Sequence, residues 1–126
     1  MTVPALSRIG QISMNAKDLD RAIAFYRDTL GIKFLFQAPP QMAFFDCDGV
    51  RLLVGVASDK EFDRPGSILY FAVDDIRRHY DALVAKGVSF NGEPHMAARL
   101  PDRELWLAFF NDTEGNMLAL ISEPRI

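Results

Sequence analysis

Residues 8–15 alternate with the two-residue period of a strand, placing Ile12 and Met14 on one face and Ile9, Gln11 and Ser13 on the other. The period then lengthens. Leu19, Ala22, Ile23, Tyr26 and Leu30 keep helical spacing behind Asp18, whose carboxylate can cap the first turn, and Gly31 can take the positive φ that ends such a helix. Residues 33–36 read as the next strand, closed by Ala38-Pro39-Pro40 because proline brings no donor to a ladder. A hairpin follows over 42–46 and 50–56, turned at Cys47-Asp48-Gly49. On its second strand Leu52, Val54 and Val56 share one face, and Arg51, Leu53 and Gly55 the other.

After the polar, breaker-ended stretch 58–66 the same order begins again. Residues 67–73 read as a strand with Leu69, Phe71 and Val73 on one face and Ile68, Tyr70 and Ala72 on the other. Asp74-Asp75 caps a helix with the stripe Ile76, Tyr80, Leu83 and Val84, stopped at Gly87. Residues 92–102, with Pro94 and Pro101 near the ends, read as an irregular loop carrying His95, Arg99 and Asp102, ahead of a last hairpin over 104–110 and 116–122.

The correspondence between the halves is residue by residue. Asp18-Leu19 precedes Asp75-Ile76 by 57 residues, and Gly31-Ile32-Lys33-Phe34 precedes Gly87-Val88-Ser89-Phe90 by 56. Phe44-Phe45, Asp48-Gly49 and Leu52 return as Phe109-Phe110, Glu114-Gly115 and Leu118. The expectation is one domain of two modules, 7–57 and 66–123, joined by a linker at 58–65. Its class is α+β: two tandem βαβββ modules forming a curved mixed sheet around a cleft, with helices on the outer face. The apolar sets Leu52/Val54/Val56, Leu69/Phe71/Val73 and Leu118/Leu120 bury against the helices, while a mixed face that includes Gln11, Arg51, Tyr70 and Trp106 lines the cleft.

Composition narrows the partners. At 126 residues and 49% hydrophobic the chain can build one core, and halves of about sixty residues should share it, being marginal alone. Fourteen basic against seventeen acidic residues, a net charge of −3 and no Lys/Arg block argue against nucleic acid and anionic membrane. No apolar run approaches the ~18 residues of a spanning helix, and the start lacks the pattern of a secretory leader. The single cysteine, Cys47, excludes an internal disulfide and fits a reducing compartment, so a cytoplasmic location is expected.

The run from Asp18 to Gly31 (Asp-Leu-Asp-Arg-Ala-Ile-Ala-Phe-Tyr-Arg-Asp-Thr-Leu-Gly), the Val73-Asp74-Asp75-Ile76 helix start and the last turn Asp112-Thr113-Glu114-Gly115-Asn116 together resemble the vicinal oxygen chelate superfamily. That superfamily includes glyoxalase I, extradiol dioxygenases and bleomycin-binding proteins. The resemblance implies a homodimer and places the ligands of the family's divalent ion, usually His and Glu, at Gln11, Leu53, Ile68 and Ala119. The internal repeat pairs the same positions, Gln11 with Ile68 and Leu53 with Ala119. Leu, Ile and Ala offer no lone pair, and a Gln amide oxygen is a weak neutral ligand, so neither metal nor other cofactor is expected.

No nucleophile constellation or phosphate loop appears, and Cys47 lies between Asp46 and Asp48, which should raise its pKa. The candidate ligand contacts are Gln11, Arg51, Tyr70, His95 and Trp106, with polar groups orienting and aromatics supplying area. Each has a plainer reading: a rim ion pair with Asp48 for Arg51, core packing beside Ala108 and Phe110 for Trp106, a surface position for His95. The expectation is binding of a small organic molecule without a metal, with no catalytic residue assigned. The alternative is a lyase, isomerase or dioxygenase of the same superfamily with displaced metal ligands such as His95, Asp102 or Glu104.

Overall fold

The computed structural model describes residues 5–57 and 66–126, so the expected linker 58–65 lies outside the described residues. The elements run β1 (Gln11–Asn15), α1 (Leu19–Ile23) continued by a wider π-type turn (Ala24–Thr29), β2 (Lys33–Ala38), β3 (Met42–Cys47) and β4 (Val50–Gly55). The second half follows with β5 (Leu69–Ala72), α2 (Ile76–Ala85), β6 (His95–Arg99), β7 (Glu104–Asn111) and β8 (Met117–Ser122). The curved mixed sheet is realised as two four-stranded sheets of identical order, β1-β4-β3-β2 and β5-β8-β7-β6. In each, the first strand runs parallel to the fourth and the remaining pairs are antiparallel.

The local signals act as their chemistry requires. Asp18 and Asp75 each accept the amide of the residue three positions on, Arg21 and Arg78, at 3.1 Å. Gly31 and Gly87 end the helical segments at φ +75° and +91°, where a Cβ would be strained. The first helical segment departs from the expected stripe. The Leu30 amide donates to the Phe25 carbonyl five residues back, and this widened turn buries the adjacent Phe25 and Tyr26 together.

One continuous core joins both halves. It takes Leu52 and Val54 from β4, Phe45 from β3, Phe110 from β7 and Leu118 and Leu120 from β8, under α1 and α2. The three apolar sets that alternation assigned to the helix-facing side are all in this core or packed against it. Residues 92–102, read as an irregular loop, contain a strand: β6 pairs with β7, with a register shift between Met96 and Ala98. His95 therefore begins an edge strand opposite Leu107 and is not on a cleft-covering loop. Its ladder comes from the next strand in the chain, and Pro94 and Pro101 lie just outside the paired residues, bounding the element without breaking it.

A polar clasp fixes the second half's last turn to the first half's helix. The Glu114 side chain, fully buried, accepts the Lys17 and Asp18 amides at 2.8 Å each, Arg21 Nε at 2.8 Å and the Thr113 hydroxyl at 2.6 Å. Burial pushes the Glu114 carboxyl up, but Arg21, Thr113 and the two amides outweigh it and hold the pKa at about 2. Beside it Asp112 accepts the Tyr26 hydroxyl at 2.7 Å, the Glu114 and Asn116 amides at 2.8 Å and Asn116 Nδ2 at 2.7 Å. Burial first, then the Asp112 charge and hydrogen bond, raise the Tyr26 pKa, so this hydroxyl stays a donor.

Candidate ligand-binding site

Strand register brings the first two candidates together. β1 lies parallel to β4 with Gln11 opposite Arg51, and Arg51 Nε donates to Gln11 Oε1 at 2.8 Å. The guanidinium carbon also lies 5.7 Å from the centroid of the Phe44 ring on β3. The rim ion pair with Asp48 does not form: no carboxylate of the described residues lies within 4.0 Å of the Arg51 guanidinium. Asp46, directly opposite Arg51 in the hairpin, instead turns Oδ1 to the Gly49 amide at 3.0 Å.

The second half contributes an aromatic row. Tyr70 on β5 meets the Phe109 ring edge to face at 6.0 Å, and His95 stacks on the other side of the pairing ladder against the same ring at 6.3 Å. Tyr70 is 48% exposed, so its hydroxyl is open to a ligand. Trp106 is placed differently from expectation. It alternates with Leu107 and Phe109 on β7 and so shares the face of Ala108 and Phe110, packed against the core with Nε1 donating to Glu104 at 3.1 Å. The rings of β3 and β7 on the face opposite the core are Phe44 and Phe109, which match across the repeat; in both halves the following ring, Phe45 or Phe110, is wholly buried.

Arg51 and Tyr70 line a common cavity of about 620 Å³ where the two halves meet, walled mainly by Ile12, Ile32, Leu52, Ile68 and Phe71. Gln11 reaches it through Arg51, whereas His95 and Trp106 are not among its walls. The β3–β4 turn closes one end with Asp46, Cys47 and Asp48. Burial, then the Asp46 charge, raises the Cys47 pKa, as the flanking aspartates foretold, and keeps the thiol protonated at neutral pH.

The donor set does not fit a metal ion of the kind the fold invites. At the four implied ligand positions Leu53, Ile68 and Ala119 present carbon, and the Gln11 oxygen is already engaged by Arg51. Among the described residues no three His, Cys, Asp or Glu side chains converge as ligands would. The acids considered as displaced ligands are committed elsewhere, Asp102 to Arg125 at 3.4 Å and Glu104 to Arg99 at 3.3 Å.

Comparison with known proteins agrees with this geometry. The family model for the glyoxalase/bleomycin resistance protein/dioxygenase superfamily matches residues 8–120. A glyoxylase-like domain-containing protein of Didymella fabae is 32% identical, over 93% of this chain and 94% of that protein. The crystal structure of lactoylglutathione lyase from Agrobacterium tumefaciens superposes with a TM-score of 0.72 at 25% identity, covering 94% of this chain and 95% of that one. TnmS3, an antibiotic binding protein from Streptomyces sp. CB03234, has the same fold at a TM-score of 0.75 and 23% identity, covering 96% and 99%.

Proposed function

This chain belongs to the glyoxalase/bleomycin resistance protein/dioxygenase superfamily, and from that premise we propose that it binds a small organic molecule between its halves without recruiting a metal ion. The observation that carries this reading is the replacement of ligating groups by Leu53, Ile68 and Ala119, next to a largely apolar cavity of about 620 Å³. That volume lies within the roughly 300–1,000 Å³ typical of small-ligand sites. In this reading Arg51 and Tyr70 touch the ligand, Gln11 holds Arg51 in place, His95 lies away from the cavity against Phe109, and Trp106 supports the sheet from the core side. TnmS3, a protein of this fold, is an antibiotic binding protein, which supports a binding role on such a frame.

The reading extends to assembly and location. Two copies pair through the sheet face that leaves Phe36, stacked on Phe44 at 4.7 Å, 49% exposed; size-exclusion chromatography with light scattering checks this. A reducing, cytoplasmic setting suits the free Cys47. The decisive experiment is elemental analysis of purified protein together with a thermal-shift series against divalent ions. The expected outcome is sub-stoichiometric metal and no shift; one tightly held equivalent that raises Tm overturns the reading, because a site-bound ion must stabilise the fold.

A further inference from the structure

Resting on the ligand-binding reading above, we propose that Gln11 and Arg51 form a clamp for a single carboxylate on an otherwise apolar or aromatic molecule. The argument is an inventory of donors and acceptors. A guanidinium cannot accept a hydrogen bond, so the Gln11 atom 2.8 Å from Arg51 Nε is the amide oxygen. That bond engages one of the two lone pairs of the pair's only acceptor atom. What remains is the Gln11 amide nitrogen and the two terminal nitrogens of Arg51, which make no hydrogen bond or ion pair with the described residues. The uncommitted groups of the pair are therefore mainly donors, several N–H groups against one remaining lone pair.

Its geometry is also fixed. Gln11 holds Nε from β1 while the Phe44 ring supports the guanidinium from β3, so the planar fork is oriented before any ligand arrives. A fork of parallel N–H groups matches two coplanar oxygens, the geometry of a carboxylate. The rest of the ligand meets the cavity that Arg51 lines, whose walls include Ile12, Ile32, Leu52, Ile68, Tyr70 and Phe71. Asp46 and Asp48 border the same cavity, so a monoanion is favoured over a dianion such as a phosphate monoester.

Four probes that share a naphthalene body separate the possibilities: 1-naphthoate, 1-naphthalenemethanol, 1-naphthylmethylammonium and 1-naphthyl phosphate, titrated at pH 7.5 by calorimetry or amide chemical shifts. The clamp predicts that wild-type protein prefers 1-naphthoate over the alcohol by about tenfold, with the phosphate and ammonium weaker still. Arg51→Met abolishes the preference for naphthoate over the alcohol, measured as the ratio of their affinities within the variant, and Arg51→Lys, which keeps charge but loses the fork, retains only part of it. Thermal unfolding of both variants verifies that they are folded. Equal affinity for naphthoate and the alcohol in wild type, unchanged naphthoate affinity in Arg51→Met, or tighter binding of the ammonium overturns the clamp while the binding reading stands. If none of the four binds, both fall.

Discussion

Glu114 and Asp48 occupy the same place in the two halves, 66 residues apart, and their surroundings have diverged. Glu114 is 5% exposed and grips the start of α1 through two amides and Arg21. Asp48 is exposed, sits at φ +50° in the tight β3–β4 turn, and borders the cavity. By the symmetry of the repeat that turn would clasp the start of α2, yet among the described residues no hydrogen bond joins them. The α2 start is held instead within its own half, by the Asp75 cap on the Arg78 amide and by the Ser122 hydroxyl donating to the Asp74 carbonyl. One turn locks the halves together, and its counterpart borders the cavity. The polar pair has diverged in the same sense: Gln11 and Arg51 correspond to Ile68 and Met117, both apolar and partly exposed.

The contrast can be tested where it should vanish and where it should be greatest. Phe45→Ala and Phe110→Ala remove equivalent, fully buried rings, and each should cost about 3–5 kcal/mol in urea unfolding. If the two costs differ by more than their error, the halves are unequal even in the core. Glu114→Ala strands two helix-start amides and should cost about 2–4 kcal/mol by the same measurement. Tyr26→Phe deletes the hydroxyl bond to Asp112 and should cost about 1–2 kcal/mol. Asp48→Ala, the counterpart of the Glu114 change, should stay within about 0.5 kcal/mol.

Acid sharpens the same comparison. The folded pKa of Glu114, about 2, lies below the ordinary glutamate value of 4.5, so the unfolded chain takes up this proton first as pH falls. The stability contributed by the clasp is present above pH 4.5 and is lost progressively between 4.5 and 2. Urea midpoints measured down through that window should fall in wild type and fall less steeply in Glu114→Gln. Equal slopes would show that the clasp does not set the acid limb.

The duplicated plan was legible because its signals are local: an aspartate cap, a helical stripe and a terminating glycine, each repeated at nearly constant offset. Gln11 and Arg51 were legible as polar residues on an inward strand face, although their hydrogen bond depends on the β1–β4 register, 40 residues apart. Phe44 and Phe109 were hidden by the aromatic doublets, in which composition does not say which ring turns inward; the pairing of Phe45 with Leu52 decides it. Strict alternation from Ala108 and Phe110 would already have assigned Trp106 to the core face. The Glu114–Arg21 contact spans 93 residues and leaves no local trace beyond a turn motif. Strand β6 pairs with the very next strand and was obscured by Pro94 and Pro101 at its ends, while the widened turn at Ala24–Thr29 keeps the apolar spacing of an ordinary helix and so left no separate signal.

Each sheet has one outermost strand with an irregularity, β2 where the register slips between Phe34 and Phe36 and β6 where it slips between Met96 and Ala98. A slipped rim presents its amides and carbonyls out of step, so a straight strand from another molecule finds no regular template there. In each half the rim on the antiparallel side is thereby guarded against fibre-like growth, by a kink set at a different point of the strand in each copy.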